Sequence, residues 1–291
     1  MDEKRPIDLF GAIALTGFST LLAFNQVVIK LTALGLSPVF QAGLRSLGAI
    51  VVLLLWLWLR GIRFSLPPGA MLWGIVSGAL FGFEFLCLFH ALDLTTVGRA
   101  SVIFYTMPVW LALAAHFLLP GETLSGVRIA GLALAVAGVA VALLDRSGGQ
   151  ASLTGDILAL IATLGWAGIA LVVRLTPLSQ VPPVGQMLFQ VVVSAPILLI
   201  AAPFFGPLIR DVTPLTYAGM AFQIFAIASF GFMFWFWLIG IYRASSVASF
   251  AFLSPVLAVF FGWAILNETL SWGIGAALAM VVSGLMLINR R

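Results

Sequence analysis

The chain has 291 residues, 62% of them hydrophobic and 8% charged, with a mean hydropathy of +1.17. Soluble domains carry about 25% charged residues, so this composition excludes a water-soluble globule and leaves room for roughly ten membrane spans of about 20 apolar residues. The net charge of +4 does not point to nucleic acid, because the fourteen Lys and Arg stand singly between apolar runs with no basic stripe.

Ten apolar stretches follow one another with short connections: 8–30, 38–59, 69–91, 98–118, 126–144, 155–174, 184–205, 214–240, 247–266 and 271–289. The first begins behind Met1-Asp2-Glu3-Lys4-Arg5-Pro6 and runs on to Lys30 with no small-residue cleavage site, so it reads as a span rather than a removable signal peptide. The hydrocarbon core offers backbone groups no water, and the runs are far longer than barrel strands, so they read as helices and the fold class as all-α, integral to the membrane.

Lys and Arg concentrate in cytoplasmic loops. With the N-terminus inside, Lys4, Arg5, Arg60, Arg63, Arg128, Arg174, Arg243, Arg290 and Arg291 lie inside, and Lys30, Arg99, Arg146 and Arg210 outside, nine against four. Arg45 falls within the second span and belongs to neither set. Both termini are therefore expected in the cytoplasm, as in a bacterial inner-membrane protein.

The longest polar interruption, Asp145 to Ser152, divides the chain into halves, taken as 1–147 and 148–291. Pro108-Val109 followed by Gly121-Glu122-Thr123-Leu124-Ser125 returns as Pro255-Val256 followed by Asn267-Glu268-Thr269-Leu270-Ser271. Pro38-Val39-Phe40-Gln41 returns as Pro183-Val184-Gly185-Gln186, and Val28-Ile29-Lys30-Leu31 as Val172-Val173-Arg174-Leu175. Three matches in the same order mark an internal repeat. Five spans is an odd number, so the second repeat enters the membrane from the opposite side. Inverted repeats can exchange conformations and open one central site to either side in turn.

On these residues the sequence resembles the drug/metabolite transporter superfamily, and within it the ten-helix exporters with paired EamA domains. The resemblance rests on Asn25-Gln26-Val27-Val28-Ile29-Lys30, Arg45, Trp166 and the doubled Pro-Val and Glu-Thr-Leu-Ser motifs, and covers nearly the whole chain. It departs at Leu22, where a tryptophan is usual, while the counterpart Trp166 is present. The resemblance implies export of amino acids, cationic drugs or other metabolites, and the aromatic-rich interior is similar to the branch that exports aromatic amino acids and paraquat.

Ionisable groups within spans are costly unless paired or facing a cavity. Arg45 and Glu84 either form a buried ion pair that fixes helix register, or hold a substrate carboxylate and an amine or proton. Gln41 and Arg45 share a helix face, and Gln186 and Gln190 stand at the matching places of the second half. These polar faces, with Asn25, suit a central cavity or interhelical hydrogen bonds. His90 suits substrate binding, pH-dependent titration or simple polar satisfaction. Neither it nor His116 belongs to a metal pattern, and no metal or cofactor is expected.

Tryptophans near span ends, such as Trp56, Trp58 and Trp272, read as interfacial anchors. Trp110, Trp166 and Trp237 lie deeper and are placed on the cavity wall for a flat or cationic substrate, with helix packing as the alternative. Gly74, Gly78 and Gly82 repeat every four residues and predict close approach of another helix. Pro108 and Pro255 predict kinks or hinges in the fourth and ninth spans. Glu-Thr-Leu-Ser at span edges reads as helix termination and capping.

The expected activity is secondary transport of a small molecule across the bilayer, with protons as a candidate coupling ion through Glu84 or His90. No Walker-type Gly-x-x-x-x-Gly-Lys occurs, and no cluster of acids or histidines suits an intramembrane enzyme. A channel or a partner subunit remains the alternative class, and the sequence does not give the oligomeric state.

Overall fold

The computed structural model describes residues 7–62, 65–119, 122–147, 151–242, 250 and 252–289. Expectations resting on Lys4, Arg5, Arg63, Gly121, Arg243, Arg290 and Arg291, on residues 148–150 of the linker and on 247–249 and 251 of the ninth predicted span lie outside them.

The first half contains α1 (Leu9–Thr32), α2 (Pro38–Arg60), α3 (Ala70–Leu94), α4 (Val97–Phe104), α5 (Met107–Leu118) and α6 (Gly126–Leu144). The second contains α7 (Leu153–Leu175), α8 (Pro183–Ala201), α9 (Pro214–Ala221), α10 (Phe232–Ile241), α11 (Leu253–Leu266) and α12 (Trp272–Asn289). Among the described residues nine helical spans are long and apolar enough to cross a membrane, and Leu253–Leu266 is a shorter apolar helix. Helices α4 and α5 share one span, and α9 and α10 are joined by a π-helical stretch, Phe222–Gly231. Described residues include no named strand, and the isolated bridge is Leu36 with Ile209.

Local chemistry sets the helix ends. Ser37 accepts from the N–H of Phe40 ahead of Pro38, and Gly61 closes α2 with φ 61°, a left-handed conformation that favours glycine. The last residue of each Glu-Thr-Leu-Ser is an N-cap as expected: Ser125 accepts from Arg128 N–H, and Ser271 from Ile274 N–H.

The prolines correct an expectation. Pro108 and Pro255 do not kink continuous helices, because the fourth span is broken at Tyr105–Thr106 and Pro108 lies in the first turn of α5, as Pro255 does in the first turn of α11. First-turn N–H groups have no helical partner in any case, so proline removes nothing there. Pro196 does sit inside α8. The second interruption is the π segment, where Ser229 Oγ donates to the carbonyl of Ile224, five residues back. Such wide turns are uncommon and bend the helix path.

Packing partners follow the repeat. Helix α1 packs on α11 of the other half, and its counterpart α7 packs on α4 and α5. Helices α2 and α8, repeat equivalents, pack on each other, as do α6 and α12. This exchange of equivalent contacts is what an inverted pseudo-two-fold produces. The glycine stripe of α3 meets α8: a Cβ at Gly78 would lie 2.6 Å from the Phe189 carbonyl oxygen, and one at Gly82 3.3 Å from Ser194 Cα. Small residues thus set how closely the two halves approach.

Candidate functional site

The halves enclose a cavity of about 660 Å³ that runs from the middle of the bundle to the end carrying both termini. Its inner wall includes Asn25 and Gln26 of α1, Arg45 of α2, Glu84 and Phe85 of α3, Trp166 of α7 and Gln186 and Gln190 of α8. Its mouth includes Leu15, Phe18, Glu122, Arg128, Arg174, Trp235 and Asn289. The size suits a small organic ligand.

Arg45 and Glu84 are each 3% exposed, on neighbouring helices. Helix α7 approaches α3 at Glu84 because Gly165 stands there, where a Cβ would be 3.3 Å from the Glu84 Cβ. The guanidinium of Arg45 lies over Phe85, 3.8 Å from ring centroid to Cζ, and 4.8 Å from Phe89. A ring face attracts a cation where water is excluded. No salt bridge among the described residues joins Arg45 to Glu84. The Nε of Arg45 and the side-chain oxygens of Asn25 and Gln26 are buried without a hydrogen-bond partner. Buried polar atoms are normally satisfied, and these three belong to residues that line the cavity.

Above the charges the wall is aromatic. Phe104 stacks on Trp166 with centroids 4.9 Å apart and planes 19° apart, and Tyr105 meets the same indole edge-on. Gln26 Nε2 donates to Tyr105 Oη at 3.5 Å. Gln190 Nε2 donates to Ser77 Oγ at 3.4 Å, and Gln186 Nε2 to the carbonyls of Leu178 and Val181.

Six of the predicted site residues therefore meet at one cavity: Asn25, Arg45, Glu84, Trp166, Gln186 and Gln190, with Pro108 beside them. Four do not. Gln41 is fully buried and donates to the Ile29 carbonyl, tying α2 to the end of α1. His90 packs against Phe205, 5.2 Å between ring centres, outside the cavity. Trp110 turns its indole N–H to Thr106 Oγ1 at 3.2 Å. Trp237 is 47% exposed on the outside of the bundle against Phe10 and Phe234. Its neighbour Trp235 lines the cavity instead, since two helical steps turn a side chain through roughly 200°. Phe81, Phe85 and Tyr105 are not among the expected site residues; the four-residue spacing of Phe81, Phe85 and Phe89, which puts them on one face of α3, is the signal that marks the two phenylalanines.

The end opposite the termini is closed. Arg210 donates to both oxygens of Asp93 at 2.8 Å and to the Ala33 carbonyl at 2.9 Å. Lys30 donates to the Thr95 carbonyl and lies 3.8 Å from Glu268. Arg99 is not a loop residue at the outer edge but is buried in α4, where its Nη2 donates to Asp156 at 2.7 Å. Asp156 also accepts from Thr95 Oγ1 and Arg146. Beside them, Asp145 accepts from Ser147 and Ser271, and these bonds hold its carboxyl down to about 2.

Among the described residues no group of three His, Cys, Asp or Glu is placed to hold a metal ion. The chain is similar along 96% of its length to the uncharacterized transporter YoaV of Bacillus subtilis, at 24% identity and 95% of that protein. It is 28% identical to the uncharacterized inner membrane transporter YedA of Escherichia coli K12, over 99% of this chain and 93% of that one. A segment of 142 residues is 31% identical to the aromatic amino acid exporter YddG of Ancylobacter novellus, 48% of each chain. A solved crystal structure matches the fold with a TM-score of 0.65 at 23% identity, over 95% of this chain and 98% of its own. The EamA-like transporter family matches twice, at residues 9–144 and 153–290, and the chain, helical and doubled in the way described, belongs to that family of membrane transporters.

Proposed function

We propose that the protein is a secondary carrier that exports small metabolites, with amino acids, aromatic ones included, or flat organic cations as its substrate class. Its two repeats, residues 1–147 and 148–291, rock about the cavity between them, and both termini lie on the cytoplasmic side of a bacterial inner membrane. The observation that carries this reading is a buried guanidinium and a buried carboxyl group, Arg45 and Glu84, that share one aromatic cavity with no salt bridge between them. An amino acid brings its carboxylate to Arg45, its amine to Glu84 and, where it carries one, its ring to Trp166 and Phe104. Each charge-assisted contact is worth about 1.5–3 kcal/mol. The YddG likeness supports the same class.

Purified protein in liposomes preloaded with unlabelled compound, tested for counterflow against aromatic amino acids, aliphatic amino acids and organic cations, decides it. Saturable counterflow with aromatic amino acids is the expected result. Flux that never saturates makes the protein a channel, and a preference for cations that persists without any response to zwitterions shifts the assignment to the second substrate class. Glu84 is also the candidate proton site: Glu84→Gln is expected to flatten the pH dependence of transport, and an unchanged profile removes it from that role.

A further inference from the structure

Helix capping explains the serines of the doubled Glu-Thr-Leu-Ser but not its glutamates. Each glutamate reaches across to the other half. Glu268 meets Lys30 at 3.8 Å, and Glu122 pairs with Arg174. Lys30 and Arg174 are repeat equivalents, as are the two glutamates, so the pairs are two copies of one contact at opposite ends of the molecule.

The copies are in different states. The Glu268 side chain is 4% exposed, and its carboxylate accepts from the N–H groups of Val97 at 2.6 Å and Gly98 at 3.0 Å, the first residues of α4. Those N–H groups have no intrahelical acceptor, and the helix N-terminus favours negative charge. Gly262 leaves the space: a Cβ there would lie 2.5 Å from Glu268 Oε2. Glu122 is 43% exposed at the cavity mouth, held to Arg174.

We propose that Glu268 and Glu122 are the two latches of this carrier. A glutamate docked between a basic side chain and a helix N-terminus holds its end of the molecule shut, and a glutamate that meets no helix N-terminus among the described residues and is tethered by the same kind of basic residue marks the open end. A carboxylate that leaves water must gain all of these partners at once or lose several kcal/mol, so docking is all-or-none and suits a two-state gate. The inference rests on the carrier reading above, and the closing experiment separates the two.

A cysteine at Ala112, in the cavity wall, placed in a Cys87→Ala background, reports which end is open. A membrane-impermeant maleimide is added to either side of sealed vesicles whose sidedness is read from a C-terminal tag. In the parent, labelling from the terminal end is expected to exceed labelling from the far end. Glu268→Ala should raise far-end labelling by about tenfold or more. Gly262→Ala, which expels the carboxylate without changing any charge, should act in the same direction. Glu122→Ala should lower far-end labelling by roughly threefold, because it weakens only the state in which the terminal end is shut. Shifts of the same sign at both glutamates, or none in protein that stays monodisperse, overturn the proposal. Glu122 is exposed, so its sign remains readable if Glu268→Ala does not accumulate. Opposite shifts in a parent that shows no counterflow sink the carrier reading and leave the latches; intact counterflow without the shifts sinks the latches alone.

Discussion

The two ends of the molecule use the same kinds of residue to different effect. At the far end, Arg99, Asp156 and Glu268 are almost wholly enclosed, and each makes bonds to more than one element. At the terminal end, Glu122 and Arg174 are each 43% exposed beside an open cavity. Charges are therefore no guide to rigidity by themselves. Water at the terminal end screens the pair and lets it separate at little cost, whereas enclosure at the far end makes the loss of any one partner expensive.

The largest test of that contrast is Arg99→Ala, which leaves the fully buried Asp156 only the Thr95 hydroxyl and the partly exposed Arg146. It should cost about 3–5 kcal/mol, read as a large drop in the thermal unfolding midpoint in detergent. A shift no greater than that of a surface variant would break the comparison. Next, Arg45→Ala in the cavity should weaken the apparent affinity for an amino acid by about tenfold to a hundredfold, equivalent to roughly 1.5–3 kcal/mol. In the same counterflow assay, organic cations should be unaffected or bind better.

Smaller effects sharpen the difference between the ends. Arg210→Ala should cost about 1 kcal/mol, because its pair with Asp93 is less exposed and includes a backbone carbonyl, while Arg174→Ala should stay within about 0.5 kcal/mol. Equal values would remove the distinction. A separate test, read in pH rather than in a single midpoint, concerns Asp145, whose carboxyl is held down to about 2 by Ser147 and Ser271. A carboxyl depressed in the folded state stabilises it above the unfolded value near 3.8 and loses that contribution as pH falls towards about 2. Unfolding midpoints should fall more steeply with acid in that window than in Asp145→Asn, and parallel curves would assign the network no role in stability.

Much of the site was legible in the order of residues. The doubled motifs predicted equivalent positions, and the structure turns Lys30, Glu268, Arg174 and Glu122 into equivalent contacts. Arg45, Glu84, Asn25, Gln186 and Gln190 stood out because polar groups in apolar runs need a reason, and the structure brings them to one cavity. Trp237 and Trp110 did not follow, because a membrane helix is apolar all round. With no polar face to set the phase, an indole pointing outward reads the same as one pointing in. Arg99 looked like a solvated edge charge because its partner, Asp156, lies 57 residues further on.

The sequence by itself determined that the chain is a doubled set of apolar helices, since hydrophobic length leaves helices as the spanning structure and the motifs return in order. Tertiary structure alone decided which end is shut, which aromatic rings face inward, and that Arg45 rests on Phe85 rather than on Glu84. Those outcomes depend on contacts between helices far apart in the chain, where burial and the partners within reach, rather than residue type, set whether a charge is held, tethered or left without an ion-pair partner.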